Sequence, residues 1–283
     1  MKRNGFERPY HVLQILSWIL LFCFSGIFYF IMIPQLSGAG VIVTSAFYTV
    51  FLISAVVSAY LTTKCDPTDK LVKVQLEGTP VEPSEFICTL CKCFVTLGSK
   101  HCARCCRCVY KFDHHCKWVN NCIGKENYNE FLWLLFSCIM LTLCGMVTGN
   151  YIWISLVVNG PTDEAKDWLK LNWVSKNFLL AGLLVCSLIT TAVFFLLSYL
   201  MMFHIYLICK GQTTYEFVLE KRKMKIEPKR EVTTTLDTTT DLLRTLSNKI
   251  VITENNSFEI REEISERMPR ARASTPEFNY ENV

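Results

Sequence analysis

Four runs along the chain are almost wholly apolar and contain no Asp, Glu, Lys or Arg: residues 12–33, 41–61, 132–158 and 178–203. Runs of about 20 apolar residues match a hydrocarbon core roughly 30 Å thick, so each predicts a transmembrane helix. Four buried helices of a soluble domain would show shorter runs interrupted by charge. A cleaved signal peptide is not expected at 12–33, because the run exceeds an ordinary apolar h-region and no small-residue cleavage pattern follows it.

Between the runs the pattern changes. Cys65-Asp66-Pro67-Thr68-Asp69 reads as a helix stop with turn chemistry. Residues 71–87, with Gly78, Pro80 and Pro83, read as an extended linker. Residues 88–131 are too poor in periodicity for long helices and predict short β-hairpins, packed by Phe94, Leu97, Val109, Phe112 and Trp118. Asn159-Gly160-Pro161 closes the third run. A short amphipathic helix is expected near 212–226, and mostly disorder beyond 227. No internal repeat is visible.

Charge orients this plan. Of the 29 basic residues, only Lys166, Lys170 and Lys176 fall in the 159–177 loop, and the 34–40 loop has none. The positive-inside bias therefore predicts a cytosolic N-terminus (1–11), a cytosolic loop (62–131), a lumenal loop (159–177) and a cytosolic tail (204–283). The net charge of +4 reflects this asymmetry and gives no reason to propose nucleic acid as a partner.

Nine of the fifteen cysteines lie in residues 88–122. In a reducing cytosol dense cysteine points to metal or catalysis, not disulfides. The order is Cys88-x2-Cys91, His101-Cys102-x2-Cys105-x2-Cys108, Asp113-His114-His115-Cys116, then Cys122. Setting aside Cys93, Cys106 and Cys116 leaves six cysteines, which with His101 and His115 make eight ligands, enough for two tetrahedral zinc sites. The surplus Cys116 then follows an acid–histidine pair. Its thiol is a candidate nucleophile, with His114 as base and Asp113 fixing the tautomer. The bland reading is a metal cluster with no catalysis. The fold class that follows is an all-α polytopic membrane protein. Its four transmembrane helices carry a small two-zinc, cysteine-rich module of short β-hairpins (core 88–131) between the second and third.

The run Cys-x2-Cys…His-Cys-x2-Cys-x2-Cys-x4-Asp-His-His-Cys-x-Trp-x-x-Asn-Cys, continued by Ile123-Gly124, Asn127 and Phe131, resembles the DHHC-type protein S-acyltransferases, or palmitoyltransferases. Thr213-Thr214-Tyr215-Glu216 resembles that family's TTxE motif. The resemblance implies that Cys116 takes a long-chain acyl group from acyl-CoA (palmitoyl-CoA as donor) as a thioester. The acyl group then passes to cytosolic cysteines of membrane-associated proteins at the bilayer surface. It implies two structural Zn2+ ions, one held by Cys88, Cys91, His101 and Cys108, the other by Cys102, Cys105, His115 and Cys122. It also implies Thr214 as a hydrogen-bond partner of Asp113. An endomembrane location (endoplasmic reticulum or Golgi) is expected ahead of the plasma membrane, although the sequence does not specify the membrane.

Three positions depart from the family pattern. Thr68 replaces the glycine of a DPG turn, the Pro and Arg common before the His-Cys pair are missing at 96–100, and the aromatic and Asn-containing motif after TTxE is not recognisable. Lys117 also stands where many members have Pro. Cys93 and Cys106 read as spare thiols, and His11 and His204 as interfacial residues. Two other classes are a non-catalytic scaffold that keeps the zinc fold and a membrane-anchored RING-type ubiquitin ligase. Neither requires the Asp113–Cys116 run.

Overall fold

The computed structural model describes residues 1–82, 85–160, 163–171, 175–225 and 239–244. It divides into two compact units, Met1–Glu216 and Phe217–Val283. In the second unit residues 217–225 are helical, within the amphipathic helix expected near 212–226. Residues 239–244 are helical too, where mostly disorder was expected; Leu242, Leu243 and Arg244 are good helix formers. The rest of that expectation lies outside the described residues.

In the first unit, four helical stretches are long and apolar enough to cross a membrane: Val12–Gln35, Ala39–Lys64, Tyr128–Val158 and Lys176–Lys210. The chain is a multi-pass membrane protein. The first stretch is α1 (Val12–Ile27), followed by a π turn (Phe28–Met32) and a 3-10 turn (Ile33–Gln35) that contains Pro34. The others are α2 (Ala39–Lys64), α4 (Tyr128–Val158) and α6 (Lys176–Lys210); α3 (Lys70–Leu76) and α5 (Asp163–Leu171) are short. Helix α4 is the central stave and packs against both α2 and α6. Phe28 stacks on Tyr48 with centroids 3.7 Å apart, and Ser54 and Ser137 hydroxyls meet at 2.8 Å across α2 and α4. Gly145 and Gly149 put small residues of α4 beside Thr190, Ser187 and Met32, where an added Cβ would make only ordinary contact.

Three antiparallel hairpins lie between α2 and α4: β1 (Ile87–Cys88) with β2 (Cys93–Phe94), β3 (Ser99–Cys102) with β4 (Arg107–Tyr110), and β5 (His114–Cys116) with β6 (Asn121–Ile123). Each hairpin loop ends on a residue in the left-handed region, Lys92, Cys106 and Asn120, with φ of 54°, 50° and 53°. These positions are 14 residues apart, and so are Cys88, Cys102 and Cys116. An internal repeat therefore exists, contrary to the sequence reading. Substitution hid it: Ile87 stands in line with His101 and His115, Phe94 with Cys108 and Cys122, and Val119 with Cys91 and Cys105.

Other expectations also change. Residues 71–87 are not all extended linker: Asp69 caps α3, its side chain accepting from the Leu71 N–H, and Val72 is buried. Asp69 also accepts from Thr96 and from the Ser99 hydroxyl, which ties α3 to the hairpins. The 159–177 loop contains α5. Val109 and Phe112 pack the module, but Leu97 and Trp118 are exposed because both sit at loop tips. Thr68 makes the turn without glycine, its N–H and hydroxyl both donating to Asp66 Oδ1 at 3.0 and 2.5 Å. His11 caps α1 through Nδ1.

Candidate functional site

The hairpins sort the ligands. Successive residues on a strand face opposite sides. His101 pairs with Cys108 across the β3–β4 register and both turn to one cluster, while neighbouring Cys102 turns to the other. The clusters are Cys88, Cys91, His101 and Cys108, and Cys102, Cys105, His115 and Cys122. In the first, His101 Nδ1 lies 3.7, 3.2 and 3.8 Å from the sulfurs of Cys88, Cys91 and Cys108. In the second, His115 Nδ1 lies 3.8, 3.3 and 3.7 Å from those of Cys102, Cys105 and Cys122.

These donors fit a metal. Tetrahedral zinc with bonds of about 2.0–2.3 Å needs its ligand atoms roughly 3.5–3.8 Å apart. The protons tell the same story. Cys102 and Cys105 beside it hold the Cys122 thiol far above its ordinary value, and burial adds to this. The neighbouring Cys102 sulfur pushes Cys105 up to about 11. Three packed sulfurs cannot all ionise without a cation among them. Burial lowers His101, keeping the neutral imidazole that a ligand must be. Either cluster can hold a metal ion.

The same alternation separates Cys116 from the metal. On β5, His115 faces the second cluster, so His114 and Cys116 share the opposite face. In the repeat Cys116 occupies the place of the ligands Cys88 and Cys102, but Val119 stands where their CxxC partners would be. That explains the surplus cysteine: it sits at a third ligand position with no partner ligand.

Around it the electrostatics are those of an ion pair. His114 Nδ1 lies 2.7 Å from Asp113 Oδ2. Burial disfavours the charged imidazole, but Asp113 and Cys116 outweigh it and raise His114 to about 9. Burial likewise opposes a thiolate at Cys116, yet His114 and the N–H groups of Val119 and Trp118 bring the thiol below its ordinary value. Asp113 is buried, which works against ionisation; its bonds to His114 and Thr214 bring it below the usual carboxylate range.

The contact to Asp113 Oδ1 comes from the Thr214 main-chain N–H at 2.8 Å; the Thr214 hydroxyl is buried with no hydrogen-bond partner among the described residues. The TTxE segment has a local reason. Gly211, with φ 66°, ends α6 in the left-handed conformation and turns the chain back. Thr213 and Glu216 then form a capping box, Thr213 N–H donating to the Glu216 carboxylate at 2.8 Å and Glu216 N–H to the Thr213 hydroxyl at 3.2 Å. The helical turn so started offers the Thr214 N–H, a group without an intrahelical partner, to Asp113.

The module is also fastened to the membrane helices. Asn121 Nδ2 donates to the carbonyls of Thr62, Thr63 and Cys65 at the end of α2, and Asn127 Nδ2 to Cys122 O at 3.0 Å. Gly124 passes so near Val109 and the Tyr110 carbonyl that no Cβ fits. Sequence reasoning missed Arg107, which is fully buried. It donates to the carbonyls of Lys2 and Arg3 at 2.8 and 2.6 Å and to Asn121 Oδ1 at 2.5 Å, strapping the N-terminal segment onto the hairpins. His204, expected as an interfacial residue, is buried within the protein at 2% exposure, because α6 continues beyond the apolar run to Lys210 and carries it beside His114. Cys93 and Cys106 belong to neither cluster; Cys106 is exposed and Cys93 half-buried.

Residues 82–221 match the DHHC palmitoyltransferase family. The chain is 39% identical over 144 residues to probable protein S-acyltransferase 20 of Arabidopsis thaliana, covering 50% of this chain and 20% of that protein. It is 31% identical over 134 residues to palmitoyltransferase ZDHHC17 of Danio rerio (42% of this chain, 22% of the relative). With palmitoyltransferase ZDHHC11 of Homo sapiens it is 28% identical over 250 residues (78% of this chain, 60% of the relative). The chain thus spans less than two thirds of the length of each of these relatives.

Proposed function

The chain belongs to the DHHC palmitoyltransferase family, and from that premise we propose that it is a protein S-acyltransferase with Cys116 as nucleophile, His114 as base and Asp113 as its orienting carboxylate. One observation carries the reading: Cys116 is the cysteine of the hairpin ladder that shares a strand face with His114 and lies off both metal clusters.

The reaction runs in two thioester exchanges. The Cys116 thiolate attacks the carbonyl carbon of an acyl-CoA; the new S–C bond forms as the CoA S–C bond breaks. The CoA thiolate takes the proton of the His114 imidazolium. Neutral His114 then accepts the proton of an acceptor cysteine as that sulfur attacks the acyl-enzyme, and Cys116 leaves as thiolate. Asp113 holds Nδ1 throughout, so Nε2 is the atom that exchanges the proton. Both steps trade one thioester for another and are nearly neutral in energy. The product's membrane affinity comes from lipid burial, about 0.8 kcal/mol per CH2.

Cys88, Cys91, His101 and Cys108 would hold one zinc, and Cys102, Cys105, His115 and Cys122 the other. Bound zinc supplies cross-links that fix the hairpins, and neither cluster includes Cys116. Thr214 supports Asp113 through its main chain. The basic residues flanking the spans support a cytosolic face for the module and both termini, with acyl-CoA and membrane-associated proteins meeting there.

The test is autoacylation of the purified, detergent-solubilised chain with alkyne-tagged palmitoyl-CoA. A hydroxylamine-labile label on wild type that vanishes in Cys116→Ser supports the enzyme. A wild-type chain holding two zincs but taking no label would leave the scaffold reading in its place.

A further inference from the structure

We propose that His204 and Tyr128, a hydrogen-bonded pair contributed by α6 and α4, form a positioning unit that sets the ring of His114 against Cys116. The inference rests on the reading of His114 as base and adds two residues that reading does not use.

His204 is buried at 2% exposure within a membrane-spanning helix. A buried imidazole is costly unless it is partnered. Its Nδ1 lies 3.0 Å from the Tyr128 hydroxyl at the first residue of α4. A leucine and a phenylalanine would fill these two positions without any polar group to satisfy. What the polar pair adds is direction: the bond selects which edge of the packed His204 ring faces Tyr128.

That ring stands beside the base. The His204 and His114 centroids are 6.0 Å apart with planes tilted by 38°. Phe131 meets both edge-on, at 5.3 Å from His114 and 5.2 Å from His204. Asp113 holds Nδ1 of His114 and Cys116 interacts with the same ring, but contacts at a ring's edge leave it free to rock unless its sides are packed. Phe131 and His204 close off that motion, and Tyr128 holds His204 in turn. Proton transfer is sensitive to such placement: an error of about 1 Å can cost roughly a hundredfold in rate. The α6 end therefore meets the Asp113–His114 pair twice, through the His204 ring and again through the Thr214 N–H.

The experiment uses the purified full chain in detergent with Tyr128→Phe, His204→Phe and the double variant. Tyr128→Phe removes one hydroxyl and keeps both rings. Four quantities are read: the rate of acyl-enzyme formation at saturating palmitoyl-CoA, the KM for palmitoyl-CoA, zinc per chain, and the rate of iodoacetamide modification at Cys116 by peptide mass spectrometry. Each single variant is expected to slow acyl-enzyme formation about tenfold or more, with KM within about twofold and zinc unchanged. The double variant is expected to be no slower than the slower single, because both remove one unit. Wild-type rates in both singles, multiplicative losses in the double, or slowing matched by loss of zinc would each overturn the proposal. If the wild type forms no acyl-enzyme, the enzyme reading falls first. Slower Cys116 alkylation in the singles then still sustains the positioning unit, and unchanged alkylation ends it.

Discussion

The main-chain N–H of Thr214 donates to Asp113 Oδ1 at 2.8 Å and thereby joins two segments separated by the whole of α4 and α6. Asp113 is gripped from both sides, since its other oxygen lies 2.7 Å from His114 Nδ1. The donor is backbone, so its position depends on the turn that presents it, and that turn depends on the Thr213–Glu216 box.

Glu216→Ala removes the acceptor of the Thr213 N–H and hydroxyl and weakens the start of that helical turn by about 0.3–1.5 kcal/mol. Acyl-enzyme formation should slow several-fold while zinc content stays at the wild-type level. A variant as fast as wild type would show that Asp113 does not need the turn.

Asp113→Asn should move the pH profile of Cys116. In wild type the thiol ionises below its ordinary value, and His114 keeps its proton up to about 9, so the ion pair exists between those limits. Loss of the Asp113 charge lowers His114 and deprives the thiolate of its cation. The rise of Cys116 alkylation with pH should therefore shift to higher pH. An unshifted profile would separate Asp113 from the thiol.

The hairpin ladder makes a less obvious prediction. Val119 is buried beside Cys116 at the place of the second cysteine in the two metal-binding repeats. Val119→Cys restores a Cys-x2-Cys pair that includes the nucleophile. Micromolar Zn2+ should then suppress alkylation of Cys116 in the variant and leave wild type unaffected. Equal behaviour of the two would mean that position 119 has no ligand geometry.

These relations differ in how far they can be read from residues in a row. The four spans announce themselves, because an uncharged run of membrane length has few other uses. The hairpins and the metal character of the module were also legible from ligand density. The repeat was not: Ile87, Phe94 and Val119 break the identity wherever a copy has no ligand to supply. The partition of His101 and Cys102 between clusters follows from strand alternation, but only once the β3–β4 register is known. His204 and Tyr128 meet across two helices, and a lone histidine near a membrane end looks interfacial in sequence. Arg107 gave no signal in sequence because its partners, the carbonyls of Lys2 and Arg3 and the side chains of Asn121 and Asp66, are gathered from distant segments only by the fold. Helix α3 carried its signal in Asp69, yet Gly78 and Pro80 nearby dominated the reading.

Arg107→Met should loosen the whole module. It leaves the Lys2 and Arg3 carbonyls without their donor, at about 1–3 kcal/mol for each group that stays buried and unpaired, and takes one of two donors from Asn121 Oδ1 and the guanidinium from Asp66. A lower midpoint in thermal unfolding and faster zinc loss to a chelator are the expected readouts. Wild-type values in both would mean that the N-terminal strap contributes little.

The central claim is that strand alternation gives His115 to a metal and Cys116 to chemistry. Peptide mass spectrometry after brief exposure to palmitoyl-CoA, with zinc counted on the same sample, tests it most directly. The account predicts one acyl group, on Cys116, in a chain holding two zincs, and two zincs still present in Cys116→Ser. An acyl group on a cluster cysteine, or a zinc lost with Cys116, would contradict it.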